Sequence, residues 1–231
     1  MQNKIKLFVD GPNFDQIALF KDQVDGFTFN PSLFKKLGAE NYLEFTKKIL
    51  KQTDNKSVSI EVIGDDEDTC FNQALKIREI SDNISVKIPI VFTNGKSTIS
   101  LIKKLIDNNV KLNITAIFTI EQIKEILGEI SKTQTILSIF AGRIFDIGLN
   151  ANERFYEMAN YIKENSDCLS LWASCRMPYD FINAKEVNAN IITMPPEMIK
   201  KISFFGKDPL EYSKDTVKMF YNDAKSSNFK I

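Results

Sequence analysis

Eight short runs rich in apolar and β-branched residues, each followed by a stretch with helical spacing, constrain this chain more than any other feature. The runs are KIKLFVD (4–10), GFTFN (26–30), SVSIEVI (57–63), ISVKIPI (84–90), KLNITAIF (111–118), TILSIFAG (135–142), CLSLWAS (168–174) and ANIITMP (189–195). Between them, segments such as PSLFKKLGAENYLEFTKKILKQ and NERFYEMANYIKEN place apolar residues on one helical face and charges on the other. Eight β/α units in 231 residues are what an α/β fold of the (β/α)8 TIM barrel type requires. No linker, low-complexity tract or close internal repeat divides the chain, so a single domain over residues 1–231 is expected, ending in a helical tail at about 209–226. A doubly wound open sheet is the rival, but its first strand is normally followed by a Gly-rich phosphate loop, and DGPNF is not one.

Successive side chains of a strand face opposite sides of the sheet, so the parity of polar residues is informative. Ser57, Ser59 and Glu61 share one face of the third run, Ser85 and Lys87 one face of the fourth, and Asn113 and Thr115 one face of the fifth. Ser138 in the sixth, Ser170 and Ser174 in the seventh, and Thr28 with Asn30 in the second repeat the pattern. Helices must cover the apolar face, so the polar face is expected to point into the barrel, with its C-terminal residues at the mouth where such barrels carry active sites.

Thirty basic and thirty acidic residues cancel, which leaves no electrostatic footprint for nucleic acid or an anionic membrane surface and favours a small-molecule role. No run approaches the length of a membrane span, and MQNKIKLFVD lacks the features of a secretory signal. With three cysteines at unrelated spacings, the chain reads as soluble and cytoplasmic. The absence of histidine argues against a zinc site and removes imidazole bases, so proton transfer must rest on Lys, Asp, Glu, Tyr or water. No metal and no cofactor is expected. The acidic run GDDEDT (64–69) reads as the opening of a helix, and the stripe in LIKKLI as core.

Enclosure in a barrel lowers the pKa of an amine toward the range in which it attacks carbonyls, so Lys87 reads as a Schiff-base lysine. The bland alternative is an edge-strand lysine reaching water, which the polar parity of the neighbouring strands disfavours. Glu61 and Asp10 end strands on the same face and are candidate proton carriers. Paired carboxylates also suggest a glycosidase, where a lysine beside them is harder to explain. Arg143 and Arg176, with Ser174, stand at a late-strand rim suited to a phosphate; pairing with a carboxylate such as Asp146 is their ordinary alternative.

LFVD, GFTFNPSL, SIEV, ISVKIPI, LNITAIFT, SIFAGRI, WASCR and ITMPP occur in the order in which the transaldolase family carries its motifs, nearly end to end. The chain resembles the short subfamily that also contains the fructose-6-phosphate aldolases. That resemblance implies a (β/α)8 barrel, permuted relative to other class I aldolases, with Lys87 as the Schiff-base lysine and Glu61 and Thr115 holding a catalytic water. It implies that Asp10, Asn30 and Asn113 contact substrate hydroxyls or protons, that Thr28 lines the pocket, and that Arg143, Ser174 and Arg176 grip phosphate. Glu61 and Phe140 resemble the transaldolases, where the lyase relatives have Gln and Tyr. Gly11-Pro12, Phe29 and Phe145 depart from the usual family residues.

The expected activity is transfer of a dihydroxyacetone unit from a ketose phosphate such as fructose 6-phosphate to an aldose phosphate such as erythrose 4-phosphate. The alternatives are an aldolase releasing free dihydroxyacetone and a non-catalytic sugar-phosphate-binding barrel. The resemblance further implies carbohydrate metabolism in the pentose phosphate pathway and a homo-oligomer built from rings, decamers among them, with the C-terminal helix packing on a neighbour.

Overall fold

The computed structural model describes residues 4–227, 229 and 230; positions 1–3, 228 and 231 of the expected domain lie outside the described residues. Strand β1 (Lys6–Asp10) leads to α1 (Phe14–Phe20), and β2 (Gly26–Thr28) to α2 (Pro31–Lys36) and α3 (Tyr42–Leu50). Strand β3 (Ser57–Glu61) is followed by α4 (Glu67–Arg78), β4 (Ile84–Pro89) by α5 (Ile99–Asp107), and β5 (Leu112–Ile117) by α6 (Ile120–Ile130). Then come β6 (Ile136–Ile139), α7 (Ala141–Asp146), α8 (Ala151–Asn165), β7 (Leu169–Trp172), α9 (Asp180–Glu186), β8 (Ile191–Met194), α10 (Pro196–Ile202) and α11 (Pro209–Ser226). The eight strands are parallel and close in sequence order, β1 pairing with β8, into the expected (β/α)8 barrel.

Local chemistry starts the helices through side-chain caps. Asn13 caps α1 in a reciprocal box with Gln16, Asn30 caps α2 with Pro31 in its first turn, and Thr119 boxes α6 with Gln122. In the acidic run, Asp66 accepts from Thr69 N at 2.8 Å and opens α4, while Asp65 accepts from Thr93 N at 2.8 Å. The LIKKLI stripe buries Leu101, Ile102 and Leu105 under α5. Among the described residues, no helix is long and apolar enough to cross a membrane.

The main core lies between strands and helices, and each fully buried side chain such as Ile88, Phe155 or Trp172 contributes roughly 1.5–3 kcal/mol. A second cluster, Phe8, Ile136, Leu171, Ala173 and Ile191, plugs the barrel interior. The inward face is therefore not polar throughout. Ser138 pairs laterally with Leu171, and Leu137 with Ser170, so β7 sends Leu171 inward and Ser170 outward, where its hydroxyl donates to Asn190 Oδ1 at 3.0 Å. This reverses the expected parity of the seventh run. Trp172 needs the helix layer, where its ring lies 5.0 Å from that of Phe155, and that choice turns its neighbours inward.

Two residues in left-handed backbone redirect the strand ends. Ala116, at φ 59°, forms a one-residue bulge in β5, and Ser174, at φ 65°, turns its chain at the barrel mouth although β7 has the opposite parity. Gly142, near the start of α7, lies so close to the β7 loop that a Cβ there would stand 1.6 Å from Ser174 O. Since a backbone carbonyl cannot swing aside as a side chain does, Gly142→Ala is expected to cost about 3 kcal/mol, the upper part of the overpacking range, measurable by urea unfolding. A variant as stable as the parent would show that the two loops separate freely.

Candidate active site

The cavity at the C-terminal mouth holds about 220 Å³ and is lined by Asp10, Thr28, Asn30, Lys87, Thr115 and Phe140 together with Arg143, Ser174 and Arg176. Nine of the eleven residues singled out in the sequence thus border one space. The other two stand just behind it: Glu61 through its ion pair with Lys87, and Asn113 one layer deeper.

Lys87 is buried, and its Nζ lies 3.0 Å from Glu61 Oε2 and 3.3 Å from the Phe29 carbonyl, to which it donates. Adjacent register on β3 and β4 dictates the meeting, because Glu61 and Lys87 are lateral partners. Tyr42, on α3, donates its hydroxyl to the Glu61 carbonyl at 2.6 Å and so ties down the end of β3. Burial, and secondarily the Glu61 carboxylate, push the Tyr42 phenol up, so it stays a donor.

Opposite the lysine, Thr28 Oγ1 lies 2.7 Å from Asp10 Oδ1 and 2.6 Å from Thr193 Oγ1. A hydroxyl has one proton, so an ionised Asp10 takes it from Thr28, and Thr193 in turn donates to Thr28. Burial raises the Asp10 carboxyl above the ordinary value; the Lys87 ammonium and the Thr28 hydroxyl pull it partly back, and Glu61 adds to the rise. Asn113 is wholly buried, with Oδ1 accepting from Ser138 at 2.7 Å and Nδ2 donating to Ser59 at 3.0 Å. It supports the cavity floor. Thr115 Oγ1 is buried without a hydrogen-bond partner among the described residues.

At the rim, Arg176 holds Asp146 through both Nε, at 3.0 Å, and a terminal nitrogen, while the Arg143 guanidinium lies 5.8 Å from the Phe140 ring centroid. The ordinary pairing expected for a rim arginine is therefore present for Arg176. The Arg176 hydrogen bonds hold the Asp146 carboxyl below its usual range. Asp180 accepts from the backbone N–H of Arg176 at 2.7 Å and of Met177 at 3.1 Å, fixing the loop after β7.

Two departures noted in the sequence act behind the cavity. The Phe29 ring joins Phe34, Tyr42, Phe45 and Phe14 in an outward aromatic stack, so only its carbonyl reaches the site. Gly11, at φ 60°, is a position where a Cβ would meet Leu33 Cδ2 at 2.5 Å. The sequence reading missed Thr193, Tyr42 and Cys175. Thr193 is detectable as the only hydroxyl in the eighth run; Tyr42 and Cys175, on a helix and in a loop, carry no periodic signal.

A sequence model of the family Transaldolase/Fructose-6-phosphate aldolase matches residues 7–231. The chain belongs to this family. A probable transaldolase of Ruegeria pomeroyi is 32% identical over 230 residues, covering 98% of this chain and 100% of the relative. One of Thermoplasma volcanium is 34% identical over 204 residues, 85% and 86% of the two chains. Among solved structures, thiamine phosphate pyrophosphorylase from Pyrococcus furiosus superposes with TM-score 0.57 at 13% identity, covering 87% of this chain and 96% of that one, which speaks for the barrel alone. Membership makes the protein an enzyme of the aldolase/transaldolase type.

The raised Asp10 carboxyl carries a stability consequence. The folded state binds this proton more tightly than the unfolded one, so the contribution is present in acid and lost as pH rises from about 4 toward the folded-state value. Asp10→Asn is expected to melt a few degrees above the parent at pH 7, the gap closing below about pH 4 in thermal scans. A variant that melts lower than the parent at pH 7 contradicts the burial argument.

Proposed function

We propose that the protein is a transaldolase, transferring a dihydroxyacetone unit between sugar phosphates through a Schiff base on Lys87. The observation that carries this reading is the buried Lys87–Glu61 pair facing a cavity with two arginines at its rim. Glu61 takes a proton from Lys87, and the neutral amine adds to the ketose carbonyl carbon. Loss of water from the carbinolamine leaves an iminium. A water held by Thr115 and Glu61 carries the protons of these steps, which gives the unpartnered Thr115 hydroxyl its bond.

Asp10, its carboxylate oriented by the hydrogen bond from Thr28, accepts the proton of the donor C4 hydroxyl. The C3–C4 bond then breaks: its electrons flow into the iminium, an aldose phosphate leaves, and an enamine of dihydroxyacetone remains on Lys87. Attack of the enamine on an acceptor aldehyde reverses the sequence. Asn30 holds a donor hydroxyl, Asn113 supports the cavity floor from beneath instead of touching the donor as the family resemblance implies, and Arg143, Ser174 and Arg176 hold the phosphate, Arg176 turning from Asp146 to do so.

Incubation with fructose 6-phosphate and borohydride, read as intact mass and modified peptide, is expected to place a reduced adduct on Lys87 and none on a Lys87→Arg variant. A folded, unmodified parent would sink the Schiff-base reading. Phe140 adds no hydroxyl at the cavity, and Phe140→Tyr is expected to raise release of free dihydroxyacetone at the expense of transfer. An unchanged product ratio would remove position 140 from the distinction.

The same reading makes the protein a cytoplasmic enzyme of the pentose phosphate pathway, a setting supported by three buried, unpaired cysteines. It also makes the protein a homo-oligomer. Helix α11 buries none of its residues, and Leu210 and Phe220 are 73% and 62% exposed, which supports packing on a neighbouring copy. Light scattering is expected to return a multiple of 26.4 kDa, falling when the chain ends before α11.

A further inference from the structure

The N-terminal face of the barrel, opposite the candidate active site, carries two cavities of about 620 Å³ and 870 Å³, both larger than the catalytic one. They share Lys6, Gln134 and Leu169, and so adjoin at the barrel base. Five lysines line them: Lys4, Lys6, Lys111, Lys163 and Lys185. Among the described residues, none of the five forms a salt bridge.

The one acid in the lining, Asp25, has an oxygen committed to the Leu7 N–H at 2.9 Å. Lys111 donates to the neutral Asp82 carbonyl at 2.7 Å, and Lys185 lies 4.7 Å from the Phe181 ring centroid, so both keep their charge uncompensated. In a chain whose thirty basic and thirty acidic groups cancel, this concentration of one sign is a local departure from the whole. Concave walls concentrate such a field, and the mutual repulsion of the ammonium groups is relieved by an anion.

The shape narrows the choice of anion. Cavities of this size take small molecules, whereas nucleic acid and acidic proteins use extended convex or grooved basic surfaces. Phe8, Ile136 and Ile191 form an apolar floor, and Ser57 and Ser85 add hydroxyls to the wall. Lysine ammonium groups suit compact, high charge such as phosphate.

We propose that the barrel base is a second ligand site, for a small polyanionic phosphate ester with an apolar or planar body. It stands apart from the transfer reaction: the plug of Phe8, Leu171 and Ile191 separates it from Lys87. Strands β1, β4 and β5 nevertheless begin at this site and end at the catalytic cavity, with Lys6 and Asp10 on β1, Ser85 and Lys87 on β4, and Leu112 and Thr115 on β5.

Calorimetric titration with ATP, and with tripolyphosphate as the anion without a body, tests the proposal on the full chain. ATP is expected to bind, with a Lys6→Glu/Lys111→Glu variant weakened at least tenfold and an Arg143→Ala/Arg176→Ala variant unchanged. Hydrogen exchange on the unaltered protein gives a second reading, ATP slowing amides near residues 4–7, 109–112 and 133–136. No binding at millimolar ATP, loss of binding in the arginine variant, or protection only at the catalytic mouth would overturn the site. Tripolyphosphate binding as tightly as ATP would overturn the role of the apolar floor.

Discussion

A cation held away from water is tolerable only beside an anion, and the Lys87–Glu61 pair imposes that condition on everything around it. Their side chains are 7% and 16% exposed, and removing either partner of such a pair leaves a buried charge at a cost of about 3–5 kcal/mol. The surroundings therefore have to be polar. Thr28, Thr193 and Asp10 form one chain of hydrogen bonds, and Ser59, Asn113 and Ser138 form another. The mouth is organised before any substrate arrives, which is the state in which fixed dipoles are most effective.

Such an upper layer contributes little to hydrophobic stability, and the structure compensates below it. Phe8, Ile136, Leu171 and Ile191 close the interior beneath the polar network, while the helices cover an almost wholly apolar outer surface of the strands. The division explains why β7 turns Leu171 rather than Ser170 inward. A barrel polar at every level would lack the packed layers that hold its strands at fixed tilt.

At the rim the two arginines differ in their resting state. Arg176 is fixed by Asp146, and its backbone by Asp180, whereas Arg143 lies over an aromatic ring. Gly142 allows α7 and the loop after β7 to meet at backbone distance, so the segments that carry Arg143 and Arg176 lie side by side.

Much of the site was legible in the amino-acid sequence because strand periodicity is local. Polar alternation in β3, β4 and β5 is enough to put Glu61, Lys87, Asn113 and Thr115 on one face, and the eight-unit rhythm is enough to choose the barrel. What the pattern leaves open depends on lateral register and on packing between distant segments. Ser170 faces outward because Trp172 needs the helices; Ser174 reaches the cavity because its backbone is left-handed; Asn113 lies beneath the cavity because Ser138 and Ser59 meet it from adjacent strands. Thr193, Tyr42 and the basal lysines likewise acquire meaning only from residues far away in the chain. The sequence by itself determined which side chains share a strand face, since that follows from the geometry of consecutive residues; the tertiary structure alone decided which faces meet, because closure of the barrel sets register and depth through contacts that no local period encodes.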